Sequence, residues 1–276
     1  MAHNRADDII IQKVSGVVDT TITDKVAVEE PLQIELAYSS ATGLMHKVVA
    51  VTMRTPGHDP ELAAGFLFTE GIIQAKDIAH IDQGRDDNRI LVSLHENIVP
   101  VLANAARNFY STSSCGICGK ASIDAIHSVS AYTHVQDDLR IEAPVLYSLP
   151  DILRAHQNVF EDTGGIHASG LFTPAGELII LREDVGRHNA LDKLIGHAVL
   201  YGHFPLSHCI LLLSGRVSFE LVQKAAMAGI RCIAAVGAPS SLAVDMAKDN
   251  GISLVGFLRE NRFNIYAGGE RIVVKD

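Results

Sequence analysis

Two runs without a polar residue, Ile210-Leu211-Leu212-Leu213 and Ile233-Ala234-Ala235-Val236, constrain the fold of this chain more than any other feature. Each has the length of a strand and neither alternates. A strand with one wet face would show a period of two, so these must be covered on both faces, as strands in parallel sheets are. Helical patterns separate and follow them. The reading is a helix from about 189 to 201, strand 209–213, helix 219–227, strand 231–236, helix 240–248 and strand 252–257. Such alternation predicts a parallel sheet with helices layered on it, an α/β sandwich. Ahead of it, Leu149-Pro150-Asp151 opens a helix to about 160, and 167–173 with 177–181, split by Pro174-Ala175-Gly176, reads as a hairpin.

The first half has a different texture. Residues 1–15 are polar apart from Ile9-Ile10-Ile11 and read as a flexible tail. Short alternating runs follow, among them Leu32-Gln33-Ile34-Glu35-Leu36 and, after a turn at Gly43, residues 47–52. They predict strands with one wet face. A helix starts at Asp59 as N-cap with Pro60 behind it, Ile90 to Leu94 is another strand, and 99–110 is mostly helical. The expected organisation is a tail over 1–15, a smaller N-terminal α+β domain over 16–140 that includes a cysteine loop at 111–120, and a C-terminal α/β domain over 141–276.

With 276 residues, 47% of them hydrophobic, the chain has ample material for a core. A net charge of -9 argues against nucleic acid or an anionic membrane as the main partner. No apolar run approaches the roughly 20 residues of a membrane helix. Four cysteines and no secretory signal fit a reducing cytoplasm rather than a disulfide framework.

Two of those cysteines carry the chemistry. In Ser113-Ser114-Cys115-Gly116-Ile117-Cys118-Gly119-Lys120 the glycines let the backbone bend, and Lys120 supplies a cation that favours thiolate, the nucleophilic form. Cys209 and Cys232 fall instead in buried-strand patterns and read as small hydrophobes. A closed zinc site would need two further ligands, and no second C-x-x-C or H-x3-H follows. A thioredoxin-type pair would open a helix after an early strand, whereas this pair follows a helix. Sulfur transfer needs a thiolate that becomes a persulfide, freedom to reach donor and acceptor, and a second thiol to assist release. The loop meets those needs.

Ligands of open α/β sheets bind beyond the carboxyl ends of parallel strands. Two turns there combine glycine with hydroxyls: Ser214-Gly215-Arg216-Val217-Ser218 and Gly237-Ala238-Pro239-Ser240-Ser241. They are either phosphate-facing turns or ordinary helix caps, and neither is a dinucleotide fingerprint. The charged stretch Glu183-Asp184-Val185-Gly186-Arg187-His188-Asn189-Ala190 requires solvent, a ligand or a capping role. His167, after Thr163-Gly164-Gly165, reads as a hydrogen-bonded loop residue.

Taken in order, these motifs resemble the FdhD family, sulfur carriers required for formate dehydrogenase activity. The likeness runs from about Arg54 onward through Arg54-Thr55-Pro56-Gly57, Glu61-Leu62-Ala63, Gly65-Phe66-Leu67, the Cys115 loop, Thr163-Gly164-Gly165 with His167, the stretch from Glu183 to Ala190, Ser214-Gly215-Arg216 and residues 257–266. The resemblance implies a carrier that takes sulfur from a cysteine desulfurase of the IscS type. It would pass it to the molybdenum cofactor, as the bis-molybdopterin guanine dinucleotide, before insertion into formate dehydrogenase. Cys115 matches the persulfide-bearing cysteine and Cys118 the supporting thiol. Phe257, Leu258, Arg259, Glu260, Asn261 and Arg262 match the cofactor-binding segment, with the arginines toward phosphates and Phe257 toward a base.

A homodimer and a C-terminal half similar in fold to cytidine deaminases are also implied, so the expected class is α/β with a deaminase-like layer sandwich. The deaminase chemistry is missing: His167-Ala168-Ser169 has serine where H-x-E needs glutamate, and no catalytic metal is expected. The rival reading is a chaperone that binds the cofactor and formate dehydrogenase without moving sulfur. A dithiol reductase stands third.

Overall fold

A computed structural model of the chain describes residues 4–41, 43–84, 88–102 and 137–274. The helix expected over 99–110 and the whole cysteine loop, with Cys115 and Cys118, lie largely or wholly outside the described residues. The expected tail is not one. Strand β1 (Ala6–Ser15) pairs over its full length with β2 (Val18–Ala27) in an antiparallel ribbon. Both faces of the ribbon are largely exposed, so no burial-driven alternation marks either strand. Gly16, at φ 62°, makes the turn in a conformation that other residues rarely adopt.

Strand β3 (Glu30–Ser40) returns as β4 (Gly43–Arg54), helix α1 (Asp59–Thr69) follows, and β5 (Ile78–Gln83) and β6 (Arg89–Leu94) complete a sheet in the order β4-β3-β6-β5. Alternate residues Leu32, Ile34 and Leu36 join Val49, Ile90 and Val92 in a core against Leu62, Ala63 and Leu67 of α1. Asp59 is not the cap of α1 as expected. His58 holds that position at φ 59°, and Asp59 turns inward to the Arg54 guanidinium at 3.1 Å. An ion pair available at residue 54 outcompetes the local capping bond.

The second half opens with β7 (Ile141–Glu142) and α2 (Ala143–Ala155), with Pro144 in the first helical turn. The helix therefore starts earlier than Leu149 and carries Pro150 in its interior. After α3 (Asn158–Thr163) come the hairpin β8 (His167–Phe172) and β9 (Leu178–Asp184), then α4 (Arg187–Tyr201), β10 (Ile210–Leu213), α5 (Phe219–Met227), β11 (Cys232–Ala235), α6 (Ser241–Asp249), β12 (Ser253–Arg259), β13 (Arg262–Ala267) and β14 (Ile272–Val273). The sheet order is β13-β12-β11-β10-β8-β9, with β10, β11 and β12 parallel to one another. Strands β8, β9 and β13 run antiparallel to their neighbours.

The unalternating runs divide as their pattern requires. Leu211, Leu213, Ile233 and Ala235 pack under α4, α5 and α6, while Ile210, Leu212, Cys232 and Ala234 pack under α2. The fold is α/β. Helix α1 joins the two halves: Ala64 and Phe68 enter the core beneath α4 while Leu62, Ala63 and Leu67 serve the N-terminal core. A helix used on opposite sides is apolar nearly all round, which explains its sequence. It crosses α4 backbone to backbone at Gly65 and Gly196, where a Cβ would lie 1.9 Å from the Asp192 carbonyl oxygen or 1.7 Å from that of Glu61.

Candidate functional site at the carboxyl edge of the parallel strands

The strand register brings nearly every polar motif of the C-terminal half to one edge of the large sheet. The carboxyl end of β10 lies beside the start of β8, where Ser214 N-H donates to the Ala168 carbonyl at 3.0 Å and Ala168 N-H donates to Ser214 Oγ at 2.8 Å. His167 pairs in register with Asp184, so β9 ends at the same edge and α4 begins there with Arg187 and His188. Beyond β11 and β12 the turns stack. Gly237 N-H donates to the Gly215 carbonyl at 3.0 Å, and Phe257 N-H donates to the Gly237 carbonyl at 3.1 Å. Gly237 has to be glycine, since a Cβ would stand 2.7 Å from both Arg216 N and Gly215 O.

Within this edge, some predicted residues are committed to folding. Glu183 accepts the N-H groups of Val159 and Phe160 at 3.1 and 3.0 Å, closing the start of α3. Asp184 accepts from Lys193 Nζ at 2.7 Å and from Thr55 N-H at 3.2 Å, tying the two halves together. Both carboxylates are taken up by protein partners. Lys193 has no exposed surface; burial lowers its pKa while Asp184 opposes that shift. Sequence reasoning missed this lysine because it sits among Leu191, Leu194 and Ile195 with no local partner in the chain.

The groups left at the edge are of another kind. His188 Nε2 lies 3.1 Å from Glu220 Oε2 and 3.3 Å from Ser218 Oγ. His167 stands over Gly215, where a Cβ would come within 3.3 Å of its ring, and burial together with Arg187 and His188 lowers its pKa. A neutral imidazole there can accept a proton or a hydrogen bond. Arg216 is exposed on the first turn. Ser218 closes the turn marked in the sequence, whereas Glu220, two residues on in α5, was not singled out.

The predicted segment from Phe257 to Arg262 forms the end of β12, a two-residue turn and the start of β13. Phe257 adopts φ 53° and is 44% exposed. Arg259 Nη1 donates to the Val236 and Leu258 carbonyls, each at 2.8 Å, which fixes its guanidinium at the rim. Glu260, Asn261 and Arg262 are exposed, whereas Leu258 is wholly buried and serves the core. Aromatic face, fixed guanidinium and clustered cations suit a ligand carrying both an aromatic base and phosphates. No group of three or more metal-ligating side chains occurs among the described residues. A cavity of about 490 Å³ lies elsewhere, along the outer edge of β9, lined by Arg5, His58, His156 and Asn158 with residues 178–183.

Known proteins resemble this chain along most of its length. The FdhD/NarQ family pattern matches residues 27–273. The sulfur carrier protein FdhD of Streptomyces avermitilis is 49% identical over 267 residues, covering 93% of this chain and 92% of that protein. The sulfur carrier protein FdhD of Mycobacterium tuberculosis is 43% identical over 282 residues, covering 98% and 96%. A crystal structure from Desulfotalea psychrophila, described as a formate dehydrogenase accessory protein, superposes with a TM-score of 0.75 at 26% identity, covering 98% of this chain and all of that one. With a family pattern spanning both halves and relatives matched along nearly their whole length, this chain belongs to the FdhD/NarQ family.

Proposed function

We propose that the protein is a sulfur carrier for formate dehydrogenase maturation. The observation that carries this reading is the identity, near half of all positions, to proteins named as sulfur carriers, in a chain that contains the pair in Cys115-Gly116-Ile117-Cys118. In the proposed reaction the Cys115 thiolate attacks the terminal sulfur of a persulfide on a cysteine desulfurase. The sulfur–sulfur bond of the donor breaks, its cysteine leaves as thiolate, and Cys115 becomes the persulfide without net oxidation. Cys118 assists release. The acceptor is the guanine-dinucleotide molybdenum cofactor, written here as substrate, which formate dehydrogenase then receives.

The carboxyl edge supports this choice of acceptor. Phe257 offers a ring to a base, while Arg259, Arg262 and Arg216 offer charge to phosphates on a protein whose net charge is -9. The mixed sheet with helices on both faces supports the deaminase-like description of the second half. The reading also includes a cytoplasmic site of action and a homodimer.

The alternative is a chaperone that holds the cofactor without moving sulfur. A strain lacking the gene and complemented with Cys115→Ala separates the two: the carrier predicts loss of formate dehydrogenase activity, the chaperone predicts its retention. Phe257→Ala together with Arg259→Ala should weaken guanosine diphosphate binding about tenfold or more while leaving persulfide formation intact.

A further inference from the structure

We infer that the groove along the outer edge of β9 takes an extended acidic peptide of a partner protein, which adds to the large sheet as one more strand. The inference goes beyond sulfur transfer and does not depend on it. Strand β9 ends the sheet order and has a neighbouring strand on one side only. Which of its residues face the open side follows from β8. Ala168 turns both its N-H and its carbonyl to Ser214, on the β10 side, so Ser169 and Leu171 turn theirs to β9. Their partners Arg182 and Ile180 are therefore the hydrogen-bonded ones, and Leu181 and Glu183 face outward.

The Glu183 carbonyl agrees with this parity, since it accepts Arg5 Nη2 at 3.3 Å from outside the sheet. The Leu181 carbonyl accepts Arg182 Nη1 at 2.8 Å. The outward N-H groups of Leu181 and Glu183 have no protein partner among the described residues. Two residues apart on one strand, they are spaced by about 7 Å, as the carbonyls along one edge of an added strand are.

Beside these donors lies the groove of about 490 Å³, and its two ends differ. Leu178 and Ile179 line one end, where Ile179 is 52% exposed and offers apolar contact. Arg5, His156 and Asn158 line the other, next to Glu183. Arg5 Nε is buried there with no hydrogen-bond partner among the described residues, a cost that a ligand carboxylate would remove. The Glu183 carboxylate does not fill that role: it lies 4.0 Å from Arg5 Nη1 and already accepts Val159 and Phe160 N-H. Arg182 and His58, also in the wall, both meet Glu61. The groups left over are thus donors, Arg5 Nε and the two backbone N-H groups, which call for carbonyls and a carboxylate. No Phe, Tyr or Trp lines the groove among the described residues, so it lacks the stacking platform that a single-stranded nucleic acid uses.

Fluorescence anisotropy with the full chain tests this, using labelled heptapeptides that alternate valine with threonine and carry no, one or two glutamates, beside the same series with lysine. At least one glutamate peptide should bind with a dissociation constant below about 100 micromolar, and its lysine counterpart about tenfold or more weakly. Arg5→Gln should weaken that binding about tenfold at an unchanged urea midpoint, because Arg5 lies outside all three cores. The bound peptide should slow hydrogen exchange of the Leu181 and Glu183 amides about tenfold or more, as read by nuclear magnetic resonance, and leave the already paired Ile180 and Arg182 amides unchanged. A series in which no glutamate peptide binds at about 1 mM would overturn the inference. So would binding that leaves the Leu181 and Glu183 amides unprotected, binding undiminished in Arg5→Gln, or equal binding of a single-stranded oligonucleotide of the same charge.

Discussion

Lys193 and Asp184 meet at 2.7 Å with no exposed surface on either side chain, and each also holds Thr55, one through its carbonyl and the other through its N-H. Removing one partner strands the other charge. Lys193→Met should therefore cost about 3–5 kcal/mol in urea unfolding, far more than the loss of an exposed pair such as Lys25 with Asp162. Glu61 makes a contrasting case. Burial alone would raise its pKa, but Arg182, His58 and His197 all bond to it and hold it well below its ordinary 4.5. The folded chain then binds fewer protons than the unfolded one below pH 4.5, so the stabilisation is present above that value and is lost as pH falls further. Glu61→Gln should flatten the acid limb of a stability–pH curve; an unchanged limb would assign it to other carboxylates. Burial pushes the Cys232 thiol up to about 12. Iodoacetamide at pH 8 should leave Cys232 unmodified in the native protein and label it after denaturation, as read by peptide mass.

Among the elements, the α1–α4 crossing leaves least room. Gly65→Ala forces a methyl group against backbone rather than against a movable side chain, so it should destabilise by at least about 2 kcal/mol and loosen the two halves from each other. Denaturation followed by probes in each half reads this directly, and a neutral effect would contradict the close approach. How far the elements were legible follows from the same geometry. Ile210 to Leu213 lacks alternation because α2 and α4 cover both of its faces, so its place in a parallel sheet could be read from sequence. So could the hairpin around Pro174-Ala175-Gly176. Strand β1 could not, because burial leaves no clear period on a strand exposed on both sides. The capping role expected of Asp59 failed because the guanidinium of Arg54, five residues upstream, takes its carboxylate. At the site, the stacking of Gly215, Gly237 and Phe257 follows from strand register, and the turns had been marked by their glycines and hydroxyls. The consumption of Glu183 and Asp184 as structural anchors depends on α3 and Lys193, which no local pattern announced.

At the scale of the whole molecule, an acidic protein gathers Arg187, Arg216, Arg259 and Arg262 at or near one sheet edge, beside an exposed Phe257. In the proposed function that edge is where the cargo would sit, and Cys115 is the thiol that would carry the sulfur. The direct measurement is the intact mass of the protein after incubation with a cysteine desulfurase and cysteine, compared for wild type, Cys115→Ala and Cys118→Ala. A persulfide adds one sulfur, about 32 Da, to the reactive thiolate. The account predicts this gain in the wild type and its absence in Cys115→Ala. A wild type that gains no sulfur, or a Cys115→Ala variant that gains it undiminished, would contradict the carrier mechanism.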